Sequence, residues 1–250
     1  MKLKIKPRAK TPRDSRPLYI RAEETLALLI DTLKPGDRLL TEPELAAKLG
    51  ISRATLREAM RLFEERGRLM RKPGVGTFVL APHPIIDSGL EVLESIDTLA
   101  RRLNLPTRMA ELTVTARAVE AAEAKALGLA DGAEVLAISR TIYTQQVPIA
   151  HLTDILPVGA VTQEELENFS GSVLDVLLKR SDPALGASHT QLTAESADTS
   201  LARHLGVQRG TPVLHFEATL YTYNGKAIDH SHSFFVPGFF KFHVVRKVGK

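Results

Sequence analysis

The sequence predicts an α+β chain in two domains: a helix-rich N-terminal unit closed by a small β-hairpin, and a longer α/β unit built on an antiparallel sheet. Three observations carry this. Helical periodicity with matching cap residues runs to Phe63 and is followed by a glycine-rich hairpin signal at Gly74 and Gly76. The charge is split, since residues 1–80 hold 18 Lys and Arg against 10 Asp and Glu, whereas residues 81–250 hold 15 against 19. The C-terminal part also repeats itself at an offset of about 78 residues. A chain of 250 residues is long enough for two separate cores.

Residues 1–16, with Lys2, Lys4, Lys6, Arg8, Lys10, Arg13 and Arg16 against Asp14 alone, read as a basic arm, either a solvated tail or a phosphate contact. The first domain is expected over residues 17–80. Its first helix covers residues 18–33, with Ile20, Leu26, Leu29, Ile30 and Leu33 on the apolar side and Pro35-Gly36 ending it. A second helix opens at Thr41, where Glu44 three residues on completes a capping box and Pro43 is tolerated in the first turn. Gly50 is its expected left-handed C-terminal residue, and Ser52 caps a third helix at once. On this third helix Leu56, Ala59, Met60 and Phe63 share one face, which leaves Arg53, Ala54, Arg57 and Arg61 outside. Residues 68–80 then read as strand, turn and strand.

Two helices joined by so short a turn, with a hairpin behind them, predict a winged helix-turn-helix whose partner is double-stranded DNA. Arg53 and Arg57, one turn apart near the start of the third helix, are long enough to reach guanine edges, with Arg61 a turn beyond. Thr41, Ser52, Thr55 and the helix N-terminus suit phosphate oxygens, Ala54 faces the same way, and Gly74 and Gly76 allow close approach of the wing to a minor-groove edge.

This block resembles the DNA-binding domain of the GntR family of bacterial transcription regulators. The resemblance spans residues 18–80 and rests on Leu45-Ala46, Leu49-Gly50, Ser52-Arg53, Thr55-Leu56-Arg57-Glu58-Ala59, Gly67 and the run from Gly74 through Gly76-Thr77-Phe78-Val79. It implies DNA contacts at Arg53, Thr55, Arg57 and Gly74. Where the family usually has an arginine between two glutamates, this chain has Pro43, so one customary contact is missing and a different operator sequence is expected.

Ala81-Pro82-His83-Pro84 marks the exit from the hairpin, and residues 81–89 are expected to be a linker. The second domain is expected over residues 90–250, opening with a helix over residues 90–103. Its repeat matches Leu127-Gly128 and Gly132 with Leu205-Gly206 and Gly210, Tyr143-Thr144 with Tyr221-Thr222, and His151 with His230. Each copy predicts a helix end, a strand from Val135 or Val213, a hairpin at Gln145-Gln146 or Asn224-Gly225, and a returning strand.

Several polar residues interrupt these apolar strands: Arg140, His151, Thr153, Asp154, Asp229, His230, Ser231 and His232. Such groups on an apolar wall suit a small-molecule pocket, and Arg140, His151, Thr153, Asp154, Asp229 and Ser231 are the candidate effector contacts. Arg140 has two readings, an ion pair with a neighbouring acid or a ligand contact, and it is expected to be dispensable for DNA binding. His151, His230 and His232 leave a metal site open as an alternative to ordinary hydrogen-bonded histidines, and no metal or cofactor is assigned.

The second domain resembles the UTRA effector-binding domain of the HutC subfamily within the GntR regulators, whose fold resembles chorismate lyase. The resemblance covers residues 110–245 through Leu127-Gly128, Gly132, Arg140, Pro148-Ile149-Ala150, Pro157, Leu205-Gly206-Val207, Gly210 and Pro212-Val213-Leu214. It implies a small metabolite held between the sheet and its covering loops, and a homodimer whose grip on a pseudo-palindromic operator, as a repressor, responds to that metabolite. Members that bind sugar phosphates tend to carry a second arginine and a glutamate where this chain has Ile142 and Leu152, so a different effector is expected, an anion at Arg140 among the options.

The absence of cysteine excludes disulfides, thiolate metal sites and cysteine nucleophiles, and suits a cytoplasmic location. No membrane partner is expected, because no apolar run is long enough to span a bilayer. Enzymatic nucleophile elbows, phosphate-binding glycine loops and metalloprotease helices are missing. The rival classes are an enzyme on a chorismate-lyase-like fold and an architectural DNA-binding protein indifferent to ligands.

Overall fold

The computed structural model describes residues 18–72, 74–81, 85–167, 169, 171–180 and 182–246; the basic arm lies outside them. The first domain begins with α1 (Leu18–Asp31), α2 (Glu42–Leu49) and α3 (Arg53–Glu65), followed by the antiparallel hairpin β1 (Leu69–Lys72) and β2 (Gly76–Val79). Leu26, Leu45 and Leu56 are completely buried where the three helices meet, with Ala59, Met60 and Phe63 beside them. The segment before α2 adds to the hairpin, since the Leu39 amide donates to the Thr77 carbonyl and Arg38 bridges to Phe78.

The expected linker contains a strand. β3 (Ile86–Gly89) pairs in parallel with β10 (Phe240–His243), and Ile86 is buried in the core of the second domain. Its partner lies over 150 residues away, so nothing local in residues 81–89 announces it. The helix expected over residues 90–103 is the shorter α4 (Ile96–Arg102), capped by Ser95, whose hydroxyl accepts from the Thr98 amide.

The main sheet has six antiparallel strands: β4 (Thr107–Ala118), β5 (Glu134–Thr144), β6 (Val147–Pro157), β7 (Leu185–Ser196), β8 (Pro212–Thr222) and β9 (Ala227–Phe235). Their order is β4-β5-β6-β9-β8-β7, so the two sequence repeats meet at β6 and β9. Thr153 pairs with His232, its own counterpart in the repeat, which places the pseudo-two-fold axis between them. Each copy begins with a strand absent from the sequence reading, β4 or β7, both at sheet edges and with few buried residues. One face of the sheet packs on α5 (Ala121–Leu127) and α8 (Thr199–His204). The other lies under α4, α6 (Gln163–Glu167) and α7 (Val173–Leu178), where Ile138, Leu156, Val173 and Leu177 are buried together.

Candidate functional site

The expected DNA-facing residues converge on the start of α3 and the tip of the hairpin. Ser52 Oγ accepts from the Thr55 amide at 3.0 Å and its hydroxyl lies 2.8 Å from that of Thr55, so the first turn is pinned by its own cap. Burial of Leu56, Ala59, Met60 and Phe63 turns Arg53, Ala54 and Arg57 outward. Among the described residues Arg53 has no ion-pair or hydrogen-bond partner. Thr41 caps α2: its amide and its hydroxyl both donate to the Glu44 carboxylate, at 3.0 and 2.6 Å.

Arg57 is differently placed from Arg53. Its Nε donates to Glu42 at 2.6 Å, and Arg71 pairs with the other oxygen of the same carboxylate. Burial alone would raise the Glu42 pKa, but the two guanidinium groups hold it below the usual carboxylate range. Arg57 is therefore held by α2, with part of its donor set already used. Gly74, at φ +71°, sits at the open tip of the hairpin. Gly76 is favoured by its backbone angle, φ +137°, which L side chains rarely adopt, and a Cβ there would also displace the Arg38 guanidinium, 2.5 Å away at Nε. Arg38, Arg71 and Lys72, whose ammonium lies over the Phe78 ring, are cations of this surface that the sequence reading left out. Arg38 reaches the wing from the loop before α2, a contact no helix or hairpin periodicity signals.

Strand register divides the expected effector residues between two faces. Arg140 and Leu152 pair across β5 and β6, as Asp154 and Ser231 do across β6 and β9, and Asp229 lies two residues from Ser231; these side chains share the face under α4, α6 and α7. His151 and Thr153 lie on the opposite face with His230, His232 and His215.

The first of these faces holds buried charge. Arg140 is 3% exposed; its Nη1 pairs with Asp154, its Nε donates to the Gly171 carbonyl at 2.6 Å, and its guanidinium lies over the Phe169 ring. The ion-pair reading of Arg140 is thus realised, and a ligand must share this group with Asp154. Asp229 is 5% exposed; its carboxyl shares a hydrogen bond with that of Asp154, while among the described residues its Oδ1 has no hydrogen-bond partner. Burial, and then the negative charge of Asp154, push its carboxyl well above the ordinary aspartate range despite the nearby Arg140. Asp97 of α4, absent from the sequence reading, joins this group; burial and Asp175 raise its pKa, while Thr107 donates to it at 3.0 Å and Arg140 draws it back. Only the fold brings α4 over β5, so no spacing in the sequence marks Asp97.

On the opposite face the polar groups are matched. His151 lies 3.0 Å from the Thr141 hydroxyl, 3.2 Å from that of Ser139, and stacks on His204. Glu111 accepts from the Thr141 hydroxyl and pairs with His204, both at 2.8 Å. His230 meets Thr219 at 3.1 Å, and His215 lies between Glu195 at 2.6 Å and His232 at 3.0 Å. His151 lies across the strand pair from Phe234, one step along the face from His232. Among the described residues no three His, Asp or Glu side chains form a metal-binding group.

A cleft of about 310 Å³ separates the two domains, lined by Arg57, Arg61 and Arg71 on one side and by Arg209, Pro212, Val236 and Phe239 on the other. Arg61 thus fronts the effector domain. The backbones touch beside this cleft: a Cβ on Gly238, at φ +89°, would overlap the Gly67 backbone just after α3. A second cleft of about 580 Å³, between Met70 and Lys72 and the Tyr143 to Arg209 side, adjoins it through shared Met70, Val207 and Arg209.

Among the described residues no helix is long and apolar enough to cross a membrane. Comparison with known proteins agrees with the geometry. Residues 18–79 match the model of bacterial regulatory proteins of the gntR family, and residues 100–241 match the UTRA domain. The chain is 28% identical to the HTH-type transcriptional repressor NagR of Bacillus subtilis, over 87% of this chain and 89% of that one. It is 32% identical to the HTH-type transcriptional regulator Rv0792c of Mycobacterium tuberculosis, over 83% and 77%. A Histidine utilization repressor of Pseudomonas putida is 29% identical over 79% of each chain. The crystal structure of PhnF from Mycobacterium smegmatis shares the fold, with a TM-score of 0.61 at 23% identity over 91% of this chain and all of that one. A GntR winged helix-turn-helix joined to a UTRA domain is the architecture of a transcription regulator, and this chain belongs to the GntR family.

Proposed function

We propose that the protein is a repressor that binds a pseudo-palindromic operator as a homodimer and releases it when a small metabolite occupies the Arg140 face of the UTRA sheet. The observation that carries this reading is one continuous run of chain. β9 carries Asp229 and Ser231 in the buried charge cluster, and the chain beyond it runs through residues 236–239, where Gly238 abuts Gly67 at the end of the recognition helix. A ligand that resets β9 acts directly on the seat of α3, and differential affinity for two such seatings is what coupling requires.

In this reading Arg53, with Ser52, Ala54 and Thr55 around it, enters the major groove, and the Gly74 tip of the wing follows the neighbouring backbone. Arg57 reads bases only by sharing itself with Glu42, while Thr41 and Gly76 support the motif and Arg61 belongs to the interdomain seam. The bound operator requires Arg57 to be free of the effector domain, so the seating with Arg57 at the cleft is the one a ligand would favour. The two-fold requirement follows from size, because one recognition helix reads only a few base pairs.

Footprinting on the chain's own promoter region is the test. Two protected half-sites about one helical turn apart are expected, and a single half-site held by a monomer contradicts the dimer. Arg53→Ala should cost about 1–3 kcal/mol on the cognate site and relax base preference, whereas loss confined to phosphate positioning weakens all sequences alike.

A further inference from the structure

We propose that the effector presents a protonated organic amine to the buried Asp229 carboxylate, and that Arg140 acts by fixing Asp154 and the Gly171 backbone around that amine. This rests on the Arg140 face being the effector site. It narrows the chemistry there in a direction opposite to the anion that a lone arginine suggests.

Charge balance decides the sign. Three carboxyl groups, on Asp97, Asp154 and Asp229, act on one buried guanidinium, that of Arg140. Beyond them Arg101 and Asp175 lie 3.8 Å apart and largely offset one another. Arg140 is already matched by Asp154, and the free protein keeps a proton on Asp229, so a carboxylate or phosphate ligand would add a negative charge that no cation is left to meet, where little solvent screens it. An ammonium group can take the place of that proton.

The donors and acceptors agree with the charge count. Arg140 commits Nε to Gly171, Nη1 to Asp154 and its face to Phe169. By contrast, among the described residues Asp229 Oδ1 is buried with no partner, in a protein where such atoms are ordinarily bonded. What it lacks is a donor. Ser231 sits two residues along the same strand face, opposite Asp154 in the register. Metal ions fit poorly, because among the described residues no metal-binding group of His, Asp and Glu is present. A buried, raised carboxyl also predicts how binding proceeds: a cation arriving at Asp229 favours its ionised form, so the complex sheds the proton that the free protein holds.

The experiment uses the full chain and matched sets of small probes on one skeleton: putrescine, 1,4-butanediol and succinate; cyclohexylamine, cyclohexanol and cyclohexanecarboxylate; histamine and imidazole-4-acetate. Thermal shifts are recorded for the wild type and for Asp229→Asn, which keeps the side-chain shape. At least one amine should raise the wild-type Tm more than its alcohol and acid counterparts, and bind Asp229→Asn at least about tenfold more weakly. Calorimetry of the wild type with that amine, in phosphate and in Tris, should show release of up to about one proton per site. This measurement holds even if the variant folds poorly. The inference is overturned if an acid or alcohol outperforms its amine, if no amine stabilises the wild type, if the effect survives in Asp229→Asn, or if no proton leaves. None of these results bears on the ligand-free operator footprint, so the regulator reading is tested separately.

Discussion

The two faces of the UTRA sheet treat their polar side chains in opposite ways. Under α5 and α8, His151, His204, His215, His230 and His232 each have a hydroxyl, carboxylate or imidazole partner, and the register links them across neighbouring strands. Under α4, α6 and α7, one guanidinium faces several carboxyl groups and Asp229 Oδ1 is left with no bond. Polar residues in a strand therefore do not by themselves mark a binding site. Groups that the fold buries and leaves unbalanced do, because the protein bears that cost without an internal return.

The largest effect should come from breaking the one ion pair that the unbalanced face possesses. Arg140→Ala leaves Asp154 buried beside Asp229 with no cation, and removing one partner of a buried pair typically costs about 3–5 kcal/mol. The sequence expectation that Arg140 is dispensable for operator binding is tested by the same variant, and a loss of operator binding that tracks the loss of stability would reflect unfolding. Chemical denaturation measures it. By contrast His230→Asn, on the matched face, should cost only about 0.5–1.5 kcal/mol, the net worth of its bond to Thr219. Equal losses at the two positions would erase the distinction between the faces.

The distinction could not have been drawn from sequence, and the reason is physical. Local chemistry made the reader legible: the Thr41 and Ser52 caps and the left-handed Gly50 each act within one helical turn, and all three stand where the residues placed them. The repeat was legible because the Leu127-Gly128 and Leu205-Gly206 helix ends recur, but its leading strands were not. β4 and β7 are edge strands of mostly exposed residues, and the alternation of Leu112, Val114, Ala116 and Ala118 in β4 buries no apolar face that would set it apart. β3 was hidden in an expected linker by a partner near the C-terminus, and Asp97 by a helix whose position over β5 depends on the whole domain. Alternation correctly separated Asp229 and Ser231 from His230 and His232, yet both sets are largely buried, so it had no means of choosing between them.

A smaller effect, of opposite sign, is expected when the imbalance itself is relieved. Asp229→Asn removes a carboxyl that burial and Asp154 disfavour in its charged form, so the ligand-free protein should become more stable near neutral pH. An increase of roughly 1 kcal/mol corresponds to about 2–4 °C in Tm for a chain of this size. A drop in Tm would mean that Asp229 is part of a satisfied network and that the asymmetry of the two faces is illusory.

The finest test separates the faces by the sign of their pH response. Burial, and then His204, lower His151 from 6.5 to about 4, against the pull of Glu111 and with a further push from Arg140. Between those pH values the unfolded chain takes up a proton that the folded chain refuses, so the His151 contribution is lost as pH falls from 6.5 towards 4. His232, also lowered by burial and by His230, slopes the same way. Asp229 slopes the other way: its folded pKa lies above 3.8, so its contribution is present at acid pH and lost as pH rises from 3.8 through the raised value. Stability measured by denaturation across this range should therefore flatten in His151→Gln and steepen in Asp229→Asn relative to the wild type. Parallel curves for the two variants would show that neither face contributes the proton linkage assigned to it.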